Sequence, residues 1–351
     1  MRGGITISSM KAVWLTALKT LEAGECKIPE VSEGQVLVRI CHTGICGSDL
    51  HFYEHGRIAD TIAEFPFILG HESAGIVEEV GAGVKNLKRG DRVTMEPGYT
   101  CGKCEFCKTG RYNLCPDVIF FAYPPVQGTM CEYVAHPADM CFKLPDNVDT
   151  LEGALVEPLA VGFHAAMQGG AGVGKTAMVT GCGCIGLVTQ MALRSMGVGT
   201  VYMSDTIDVR MDKARAVGAK EVWDVSKCNP VEELMFATHG TGVDIVIETS
   251  GSSVATTSTT AMVKRGGTIV QVGMAPDPFI SMNIGELMGK EATLKTVFRY
   301  RNLYPTAIAA IAAGLPISSI VSDTFTFADS AKAFDHNVKN KVQVVKAVIE
   351  Y

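Results

Sequence analysis

The pattern of apolar and polar positions changes near residue 150. Before that point, short apolar runs at 35–40, 75–80 and 91–95 are separated by glycines and other turn residues. This pattern predicts the strands of a β-rich domain. After about Leu155, runs that fit strands alternate with longer stretches that fit helices, at the spacing of βαβ units. We therefore expect an α/β fold whose second domain is a doubly wound parallel sheet.

The second domain is predicted element by element. Its predicted elements are strands at 177–181, 200–205, 221–225, 243–251 and 266–273, and helices at 186–196 and 210–217. After Thr293 the chain becomes irregular, apart from an alanine-rich helix at 306–313 and a final strand at 343–349. We expect this tail to return to the first domain, which places the predicted domain boundaries at 1–158, 159–296 and 297–351.

Length, composition and charge exclude several classes of protein. The chain has 351 residues, which is more than one hydrophobic core usually covers. Hydrophobic residues make up 47% and charged residues 19%, so the chain can bury a large interior. Its net charge is −6 and it has no long basic run, which argues against nucleic acid as a partner.

A membrane protein and a secreted protein are both disfavoured. Glu152, Glu157 and His164 interrupt the most apolar region before it reaches the roughly 20 residues that span a bilayer. Residues 1–21 contain no continuous apolar segment followed by a small-residue cleavage site. Twelve cysteines in such a chain indicate thiols in a reducing compartment, so we expect a cytoplasmic protein whose closely spaced cysteines bind metal.

Four cysteines form the strongest motif in the chain. They follow the spacing C-x2-C-x2-C-x7-C within a glycine-containing loop at about 97–117, and they are Cys101, Cys104, Cys107 and Cys115. Four thiolates suit a closed tetrahedral Zn²⁺ site, which is structural because no position is left open. An iron–sulfur cluster also needs four thiolates, but its spacings differ. Four unrelated thiols and an isolated zinc ribbon are the remaining alternatives.

A second, dispersed set of side chains offers mixed metal donors. It consists of Cys46, His71, Glu72 and Glu157. One sulfur, one imidazole and one or two carboxylates would leave room for a substrate, as a catalytic zinc requires. Each of these residues alone more often packs in a core, so the set is weak without further context. Asp49 is expected to accept the other ring N–H of His71.

A glycine-rich loop predicts a dinucleotide site. The string GCGCIG contains Gly181, Gly183 and Gly186 in the G-x-G-x-x-G pattern, after a predicted strand and before a predicted helix. Asp205 follows at the end of the next predicted strand, where a carboxylate accepts from both ribose hydroxyls and repels a 2′-phosphate. The loop therefore favours NAD over NADP. The alternative is a tight turn that binds no ligand.

A second glycine-rich string is expected to be inactive. Residues 169–176 (GGAGVGKT) match the G-x-x-x-x-G-K-T pattern of nucleoside triphosphate loops. That loop must follow a strand and open a helix, whereas here a helical stretch precedes it and a strand follows. We interpret it as a connection from a helix to a strand.

Taken together, these motifs resemble the zinc-dependent medium-chain dehydrogenase/reductase family across nearly the whole chain. The matching segments are GICGSDLH at 44–51, ILGHESAGIV at 68–77, the four-cysteine lobe, VEPLAV at 156–161 and TGCGCIG at 180–186. The resemblance implies a GroES-like β-rich catalytic domain, an inserted Rossmann coenzyme domain and a closing C-terminal segment. Residues before Met10 look like an extension and receive no role.

Within that family the chain is similar to the polyol branch, which includes sorbitol and xylitol dehydrogenases. Glu157 stands where alcohol dehydrogenases carry a zinc-binding cysteine, and FFAYPP at 120–125 and VFRYRN at 297–302 also match the branch. The resemblance implies a catalytic Zn²⁺ held by Cys46, His71 and Glu72, with Glu157 bound directly or through water. Homotetramers are typical of this branch.

The resemblance also assigns residues to substrate and coenzyme. For the substrate these are Ser48, Tyr53, Phe121, Glu157, Arg299 and Tyr300, and Glu157, Ser48 and His51 are the expected proton path. For NAD they are Gly181, Gly183, Ile185, Gly186, Asp205, Arg210, Val272, Gly273, Met274, Val297, Phe298 and Arg299. Without the resemblance, the preferred explanations would be a helix cap for Ser48, a surface aromatic for Tyr53 and an ordinary ion pair for Arg299.

The implied activity is NAD-dependent oxidation of a secondary alcohol of a polyol to a ketose. It would use one catalytic and one structural Zn²⁺ per chain. Arg299 and Tyr300 favour a polyhydroxylated substrate, because buried donors reject an analogue that leaves them unpaired. The alternatives are an alcohol or butanediol dehydrogenase, an L-threonine 3-dehydrogenase, and a catalytically silent binding or structural protein on the same fold.

Overall fold

A computed structural model describes residues 9–351, which form two compact units. The first unit contains the chain up to Glu157 together with Val321–Tyr351, and the second contains Pro158–Ile320. The first predicted boundary differs from this division by one residue. The second was placed too early, because 297–320 belongs to the second unit. Residues 1–8, most of the predicted extension, lie outside the described residues.

The N-terminal part of the first unit is rich in short strands. They are β1 (Ser9–Ala17), β2 (Thr20–Lys27), β3 (Gln35–Gly44), β4 (Arg57–Ile58), β5 (Thr61–Ile62), β6 (Phe67–Ile68), β7 (Glu72–Val80), β8 (Arg92–Met95), β9 (Gly98–Tyr99), β10 (Ile119–Phe120), β11 (Tyr133–Pro137) and β12 (Cys141–Lys143). Its helices are α1 (Gly47–His55), α2 (Glu105–Lys108) and α3 (Thr150–Ala154). The three strands predicted from apolar runs correspond to β3, β7 and β8.

The second unit alternates helices and strands. Its helices are α4 (Val156–Gly169, which begins at the boundary), α5 (Cys184–Ser195), α6 (Asp208–Ala216), α7 (Pro230–Ala237), α8 (Ser253–Met262), α9 (Ile284–Lys290) and α10 (Tyr304–Ala312). Its strands are β13 (Thr176–Thr180), β14 (Thr200–Asp205), β15 (Glu221–Asp224), β16 (Val243–Glu248), β17 (Val263–Gln271) and β18 (Thr293–Thr296). The chain then returns to the first unit with β19 (Val321–Thr326), α11 (Ser330–Lys339) and β20 (Lys346–Glu350).

The main sheet of the first unit has the order β12-β8-β7-β3-β20-β19, and β11 also pairs with β3. Alternate residues of β3 and β7, among them Val36, Val38 and Val77, pack into the core. At Gly75 the two strands approach closely, since a Cβ there would lie 2.1 Å from the carbonyl oxygen of Arg39. The pairing of β3 with β7 therefore depends on a residue without a side chain.

The sheet of the second unit is parallel throughout and has the order β15-β14-β13-β16-β17-β18. This is the order of a doubly wound dinucleotide-binding sheet. Strands are added towards one edge from β13 to β15 and towards the other edge from β16 to β18, so the order of addition reverses between β13 and β16. Strand β18 was missed in the sequence, because its four residues lie at the sheet edge and three of them are exposed. Among residues 9–351, no helix has the length and apolar character needed to cross a membrane.

The string at 169–176 joins α4 to β13, in the predicted order of helix and then strand. Its Lys175 pairs with the buried Asp244, which also accepts from the backbone N–H of Thr176 and pairs with Lys264. Burial would raise the pKa of Asp244, but the hydrogen bonds from Lys264, Thr176 and Lys175 lower it well below its ordinary value. The lysine of this string therefore takes part in an ion pair that stabilises the second unit.

We expect Asp244→Asn to lower the free energy of unfolding of the second unit by about 1–3 kcal/mol at pH 7, because charge-assisted hydrogen bonds are lost. A lowered native pKa contributes stability above the unfolded pKa of about 3.9, so the contribution is lost as the pH falls below that value. The difference between wild type and variant should therefore shrink from pH 7 towards pH 3.

Urea unfolding followed by the fluorescence of Trp223 measures this difference. Trp14 is the second of the two tryptophans and lies in the first unit, so both proteins carry Trp14→Phe. Asp212→Asn removes an exposed ion pair with Arg215 and is the matched control, for which we expect a change of about 0.5 kcal/mol or less. A pH-independent difference for Asp244→Asn would contradict the linkage.

Candidate active site

Three metal-binding side chains meet in the first unit. Cys46 precedes the first residue of α1, His71 lies directly before β7, and Glu72 begins β7. One ligand atom from each residue lies within 4.8 Å of the other two. Gly44, the last residue of β3, is paired with Glu72 across the sheet. The pairing of β3 with β7 therefore delivers Cys46 to the loop that carries His71.

A buried carboxylate, Asp49, connects the two segments that bear these side chains. Its oxygens accept from the backbone N–H groups of Cys46 and Gly70, both at 3.0 Å, and lie 3.5 Å from Nδ1 of His71. Burial lowers the pKa of His71, but the Asp49 carboxylate and the Cys46 thiol raise it well above its ordinary value. Because the Asp49 carboxylate faces Nδ1, the Nε2 atom is left for a metal, and the predicted hydrogen bond from Nδ1 to Asp49 stays a prediction.

Ser48 and Phe120 lie beside the imidazole of His71. The Oγ atom of Ser48 is 3.5 Å from Nε2, and the Phe120 ring centroid is 5.7 Å from that of His71. Phe121, the predicted apolar wall, directly follows β10 and packs against the buried His136, with ring centroids 4.6 Å apart. The sequence analysis passed over Phe120, and the substrate role of Phe121 stays a prediction.

Two buried carboxylates influence each other near the predicted proton path. Glu157 lies in the first turn of α4, and Glu96 directly follows β8. Burial raises the pKa of Glu96 to about 7, opposed by a hydrogen bond from Tyr112 and assisted by the charge of Glu157. Glu96 was missed in the sequence, although an acidic residue directly after the predicted strand 91–95 could have indicated it. Glu157 is not part of the three-residue metal group.

The four predicted cysteines of the lobe come together as a second metal group. Their ligand atoms all lie within 4.8 Å of one another. The sulfur of Cys104 is 3.4 Å from that of Cys107, and the sulfur of Cys115 is 3.6 Å from that of Cys101. A tetrahedral zinc with bonds of about 2.3 Å separates its sulfurs by about 3.8 Å. All twelve cysteines of the chain are free of disulfide bonds, so these thiols are available.

Both groups fit zinc, but they fit different kinds of site. Four thiolates complete the tetrahedron and leave no open position, as in a structural site. The set of Cys46, His71 and Glu72 supplies three ligands and keeps a fourth position for a substrate oxygen, as in a catalytic site. The donor chemistry of the first unit therefore matches one structural and one catalytic zinc.

The glycine-rich loop of the second unit has the geometry of a dinucleotide site. Gly181 has a φ of 92°, and a Cβ at Gly186 would lie 1.9 Å from the carbonyl oxygen of Gly181, so both positions require glycine. A Cβ at Gly183 would meet no atom within 4 Å. Gly183 precedes the first residue of α5, so its open side is where a pyrophosphate would approach the positive end of that helix.

A pocket of about 590 Å³ lies at this loop, within the size range of small-molecule sites. Gly181, Gly183, Asp205 and Arg210, four of the predicted coenzyme residues, line it. The Asp205 carboxylate accepts from the backbone N–H groups of Cys182 at 2.6 Å and Thr206 at 2.7 Å, and from that of the following residue at 3.0 Å. These contacts use three of about four acceptor sites, which leaves capacity for a ribose hydroxyl.

A fully buried carboxylate that the sequence analysis missed, Glu248, supports the opposite wall of the pocket. It accepts from the backbone N–H groups of Ser250 at 2.8 Å and Gly251 at 3.1 Å, and from Nε2 of Gln271 at 2.8 Å. Ser250 lines the pocket and lies under Gly181, whose Cβ would be 3.0 Å from it. The signal in the sequence was an acidic residue that ends a predominantly apolar strand (VDIVIE).

The remaining predicted coenzyme residues lie at the same edge of the sheet or beside it. The segments 272–274 and 297–299 directly follow the carboxyl ends of β17 and β18, and Ile185 is the second residue of α5. At Gly273 a Cβ would lie 2.3 Å from the backbone nitrogen of Gly251, so glycine permits the two loops to pass. Ligands of open parallel sheets bind at the carboxyl ends of strands, so these positions are suited to coenzyme contact.

The predicted substrate residues come from both units. Ser48, Tyr53, Phe121 and Glu157 belong to the first unit, and Arg299 and Tyr300 to the second. Arg299 has a φ of 56°, and its guanidinium lies 4.7 Å from the ring centroid of Phe298. Tyr300 is buried beside Tyr304, with ring centroids 5.7 Å apart. Their contact with a substrate stays a prediction.

Two residues of α1 with predicted roles in substrate binding or proton transfer contact other residues of the first unit. The Tyr53 hydroxyl lies 2.8 Å from Oδ1 of Asp335 and 3.0 Å from the carbonyl oxygen of Lys19, so it joins α1 to α11. His51 is exposed, with its ring centroid 6.0 Å from that of His55. The substrate role of Tyr53 and the relay role of His51 stay predictions.

Comparisons with known proteins agree with this fold. The alcohol dehydrogenase GroES-like domain matches residues 32–146, and the zinc-binding dehydrogenase domain matches 184–313. The chain is 37% identical over 342 residues to sorbitol dehydrogenase of Bacillus subtilis (strain 168), covering 97% of each chain. It is 41% identical over 322 residues to a putative D-xylulose reductase of Rhizobium meliloti (strain 1021), covering 92% of this chain and 93% of the relative.

A solved structure of an Escherichia coli oxidoreductase of unknown specificity, described as involved in membrane biogenesis, superimposes with a TM-score of 0.94. It is 39% identical and covers 97% of this chain and 99% of that one. The fold and the two metal groups thus define a zinc-binding dehydrogenase with a GroES-like and a Rossmann-like domain. The chain belongs to the zinc-dependent medium-chain dehydrogenase/reductase family, in its polyol branch. The predicted family and fold class are confirmed.

We expect Glu248→Gln to weaken NADH binding by about tenfold, because one acceptor oxygen becomes an amide donor that faces other donors. Titration of NADH fluorescence measures the dissociation constant. Glu286→Gln is the matched control, since Glu286 is a carboxylate of the same unit that pairs with Lys290 and is not among the residues lining the pocket. Equal NADH affinity in wild type and Glu248→Gln would contradict the support assigned to Glu248.

Proposed function

We propose that this chain is a zinc-dependent polyol dehydrogenase that oxidises a secondary alcohol group to a ketone with NAD as acceptor. The observation that carries the proposal is the mixed set of Cys46, His71 and Glu72, whose ligand atoms lie within 4.8 Å of one another. The sorbitol dehydrogenase and D-xylulose reductase relatives favour sorbitol, xylitol or a similar polyol as the substrate. They do not favour the alcohol, butanediol and threonine dehydrogenase alternatives.

In the proposed mechanism, protein side chains hold and orient the zinc ion that polarises the substrate oxygen. A Zn²⁺ ion held by Cys46, His71 and Glu72 supplies a Lewis acid for the substrate oxygen, which an alcohol needs before it can lose a hydride at neutral pH. Asp49 orients His71 through Nδ1. Cys101, Cys104, Cys107 and Cys115 hold a second, structural zinc ion.

Protein side chains handle the proton. Ser48 Oγ lies beside Nε2 of His71, on the side left for the metal, so it is placed to accept the hydroxyl proton of a substrate while it passes its own proton to Glu157 or to water. We assign Glu157 to the same proton path and Glu72 to the metal, because Glu157 lies outside the group of three ligands. Glu96, with its pKa raised to about 7, provides a second carboxylate that exchanges a proton near neutral pH. His51 is the proposed outer relay to water.

Coenzyme selection rests on the pocket of the second unit. The remaining acceptor capacity of Asp205 suits the ribose hydroxyls of NAD, and its negative charge disfavours the 2′-phosphate of NADP. Arg210, Ile185 and the segments 272–274 and 297–299 are the further proposed contacts. Arg299 and Tyr300 are proposed to bind hydroxyls of the polyol, with Tyr53 and Phe121 as additional substrate contacts.

The direct test is the rate of NADH formation, followed by absorbance, with sorbitol, xylitol, L-threonine, 2,3-butanediol and ethanol, each with NAD and with NADP. We expect the highest kcat/KM for a polyol with NAD, and loss of that activity when a chelator removes zinc. Polyol oxidation that survives complete zinc removal would refute the proposed mechanism. Preference for threonine, butanediol or ethanol would instead favour one of the alternatives.

Glu157→Gln should lower kcat for polyol oxidation by about 100-fold, since a carboxylate in the proton path is replaced by an amide that cannot take up a proton. NADH affinity should stay within about twofold of wild type, because Glu157 is not part of the coenzyme pocket. Glu79→Gln alters an exposed carboxylate of β7 and serves as the control. An unchanged kcat for Glu157→Gln would remove Glu157 from the proton path.

The proposal also includes the cellular compartment of the protein. Free thiols at all twelve cysteines support a reducing compartment such as the cytoplasm.

The proposed oligomeric state is a homotetramer. Exposed apolar side chains on and near the edge strand of the parallel sheet, among them Ile284, Met288 and Leu294, support association between copies of this chain. A small-molecule polyol is the proposed substrate partner.

A further inference from the structure

A buried lysine from the returning C-terminal strand lies against the predicted zinc ligands. Lys346, the first residue of β20, is only 3% exposed. Its Nζ atom forms an ion pair with Oε2 of Glu72 and donates to the carbonyl oxygen of Ile45 at 3.1 Å. Lysine is almost never fully buried unless it is paired, so a specific interaction holds this ammonium group in place.

The two partners of Lys346 belong to the two segments that carry metal-binding side chains. Ile45 directly precedes Cys46, and its backbone N–H donates to the carbonyl oxygen of Ala347 at 3.0 Å. Glu72 directly follows His71. One ammonium group therefore contacts both segments at once, at the point where β20 pairs with the end of β3.

The space around Glu72 also limits the position of its carboxylate. A Cβ at Gly44 would lie 2.2 Å from Oε2 of Glu72, so the carboxylate occupies the space that a side chain at residue 44 would fill. With Oε2 turned towards Lys346, the other oxygen is the one that remains for a metal. Gly44 and Lys346 thus define one orientation of Glu72 from two sides.

We propose that Lys346 is a positioning residue for the catalytic zinc: it holds Glu72 so that a single oxygen faces the metal. The inference rests on the proposed function, since it takes Cys46, His71 and Glu72 as the zinc ligands. Partners that orient metal ligands typically contribute 10- to 100-fold to metal affinity. The last residues of the chain would then be required for the assembly of a site whose ligands all lie before residue 73.

The test measures zinc affinity with the full-length chain and Zn²⁺ as the probe. Zinc content after dialysis and competition with a fluorescent chelator are recorded for wild type, Lys346→Met, Glu72→Gln and the double variant. We expect about two zinc ions per wild-type chain, and we expect Lys346→Met to weaken one of them by about 10- to 100-fold. The double variant should bind zinc as Glu72→Gln does, because Lys346 acts through Glu72.

Lys290→Met is the matched control. Like Lys346, Lys290 pairs with a glutamate, Glu286, and donates to backbone carbonyl oxygens, of which it contacts two, but it lies in the second unit. We expect it to leave both zinc affinities unchanged. Cys46→Ser removes a proposed ligand directly and identifies which zinc ion belongs to the catalytic set.

The possible results separate the inference from the proposed function. If Cys46→Ser keeps both zinc ions, the proposed catalytic set is wrong. If Cys46→Ser loses one ion but Lys346→Met binds zinc like wild type, only the role of Lys346 is refuted. The same conclusion follows if Lys346→Met weakens zinc further in the Glu72→Gln background, since that indicates a general structural effect. If Lys346→Met alone does not fold, the comparison of Glu72→Gln with the double variant, which leaves no unpaired buried charge, decides the question.

Discussion

The hydrogen bonds of the buried Asp49 carboxylate are the constraint on which the candidate active site depends. They connect the backbone of Cys46 with that of Gly70, and the same carboxylate lies 3.5 Å from Nδ1 of His71. A carboxylate can accept from two backbone N–H groups and still face the imidazole because it offers about four acceptor positions, and burial protects these contacts from water. Two segments from different strands thereby keep their ligands at a distance that suits one metal ion.

In the second unit, two carboxylates hold the loops on either side of the coenzyme pocket. Asp205 holds the backbone of the glycine-rich loop, and Glu248 holds the loop on the other side of the pocket. The glycines at 181 and 186 allow the chain to pass closely enough for these bonds to form. In both units, buried or partly buried carboxylates accept hydrogen bonds from backbone N–H groups of the loops that form the site. These bonds fix the loops, and the loops in turn position the atoms that face the metal or the coenzyme.

Sequence and structure agree best where the signal is local. The spacing of the four cysteines, the order of strand, glycines and helix at 177–196, and the motif around Cys46 were all found in the sequence, and the structure brings their members together. Glu96, Glu248 and Lys346 were missed. Each is a single charged residue at or beside the end of a strand, which is a weak signal in the sequence, and the partners that packing brings to it show that it is not an ordinary surface charge. The boundary at 297 was placed too early because the predicted alanine-rich helix was assigned to the returning tail, whereas that helix, α10, belongs to the second unit.

The sequence by itself determined the fold class, the family and the types of donor available for metal and coenzyme, because strand and helix periodicity, glycine positions and cysteine spacing are properties of short segments. Only the tertiary structure decided which donors meet. It grouped Glu72 with Cys46 and His71, left Glu157 outside that group, turned Phe120 and not Phe121 towards His71, and brought Lys346 from the end of the chain to Glu72. These contacts join residues far apart in the chain through strand pairing and burial, and no local pattern encodes them.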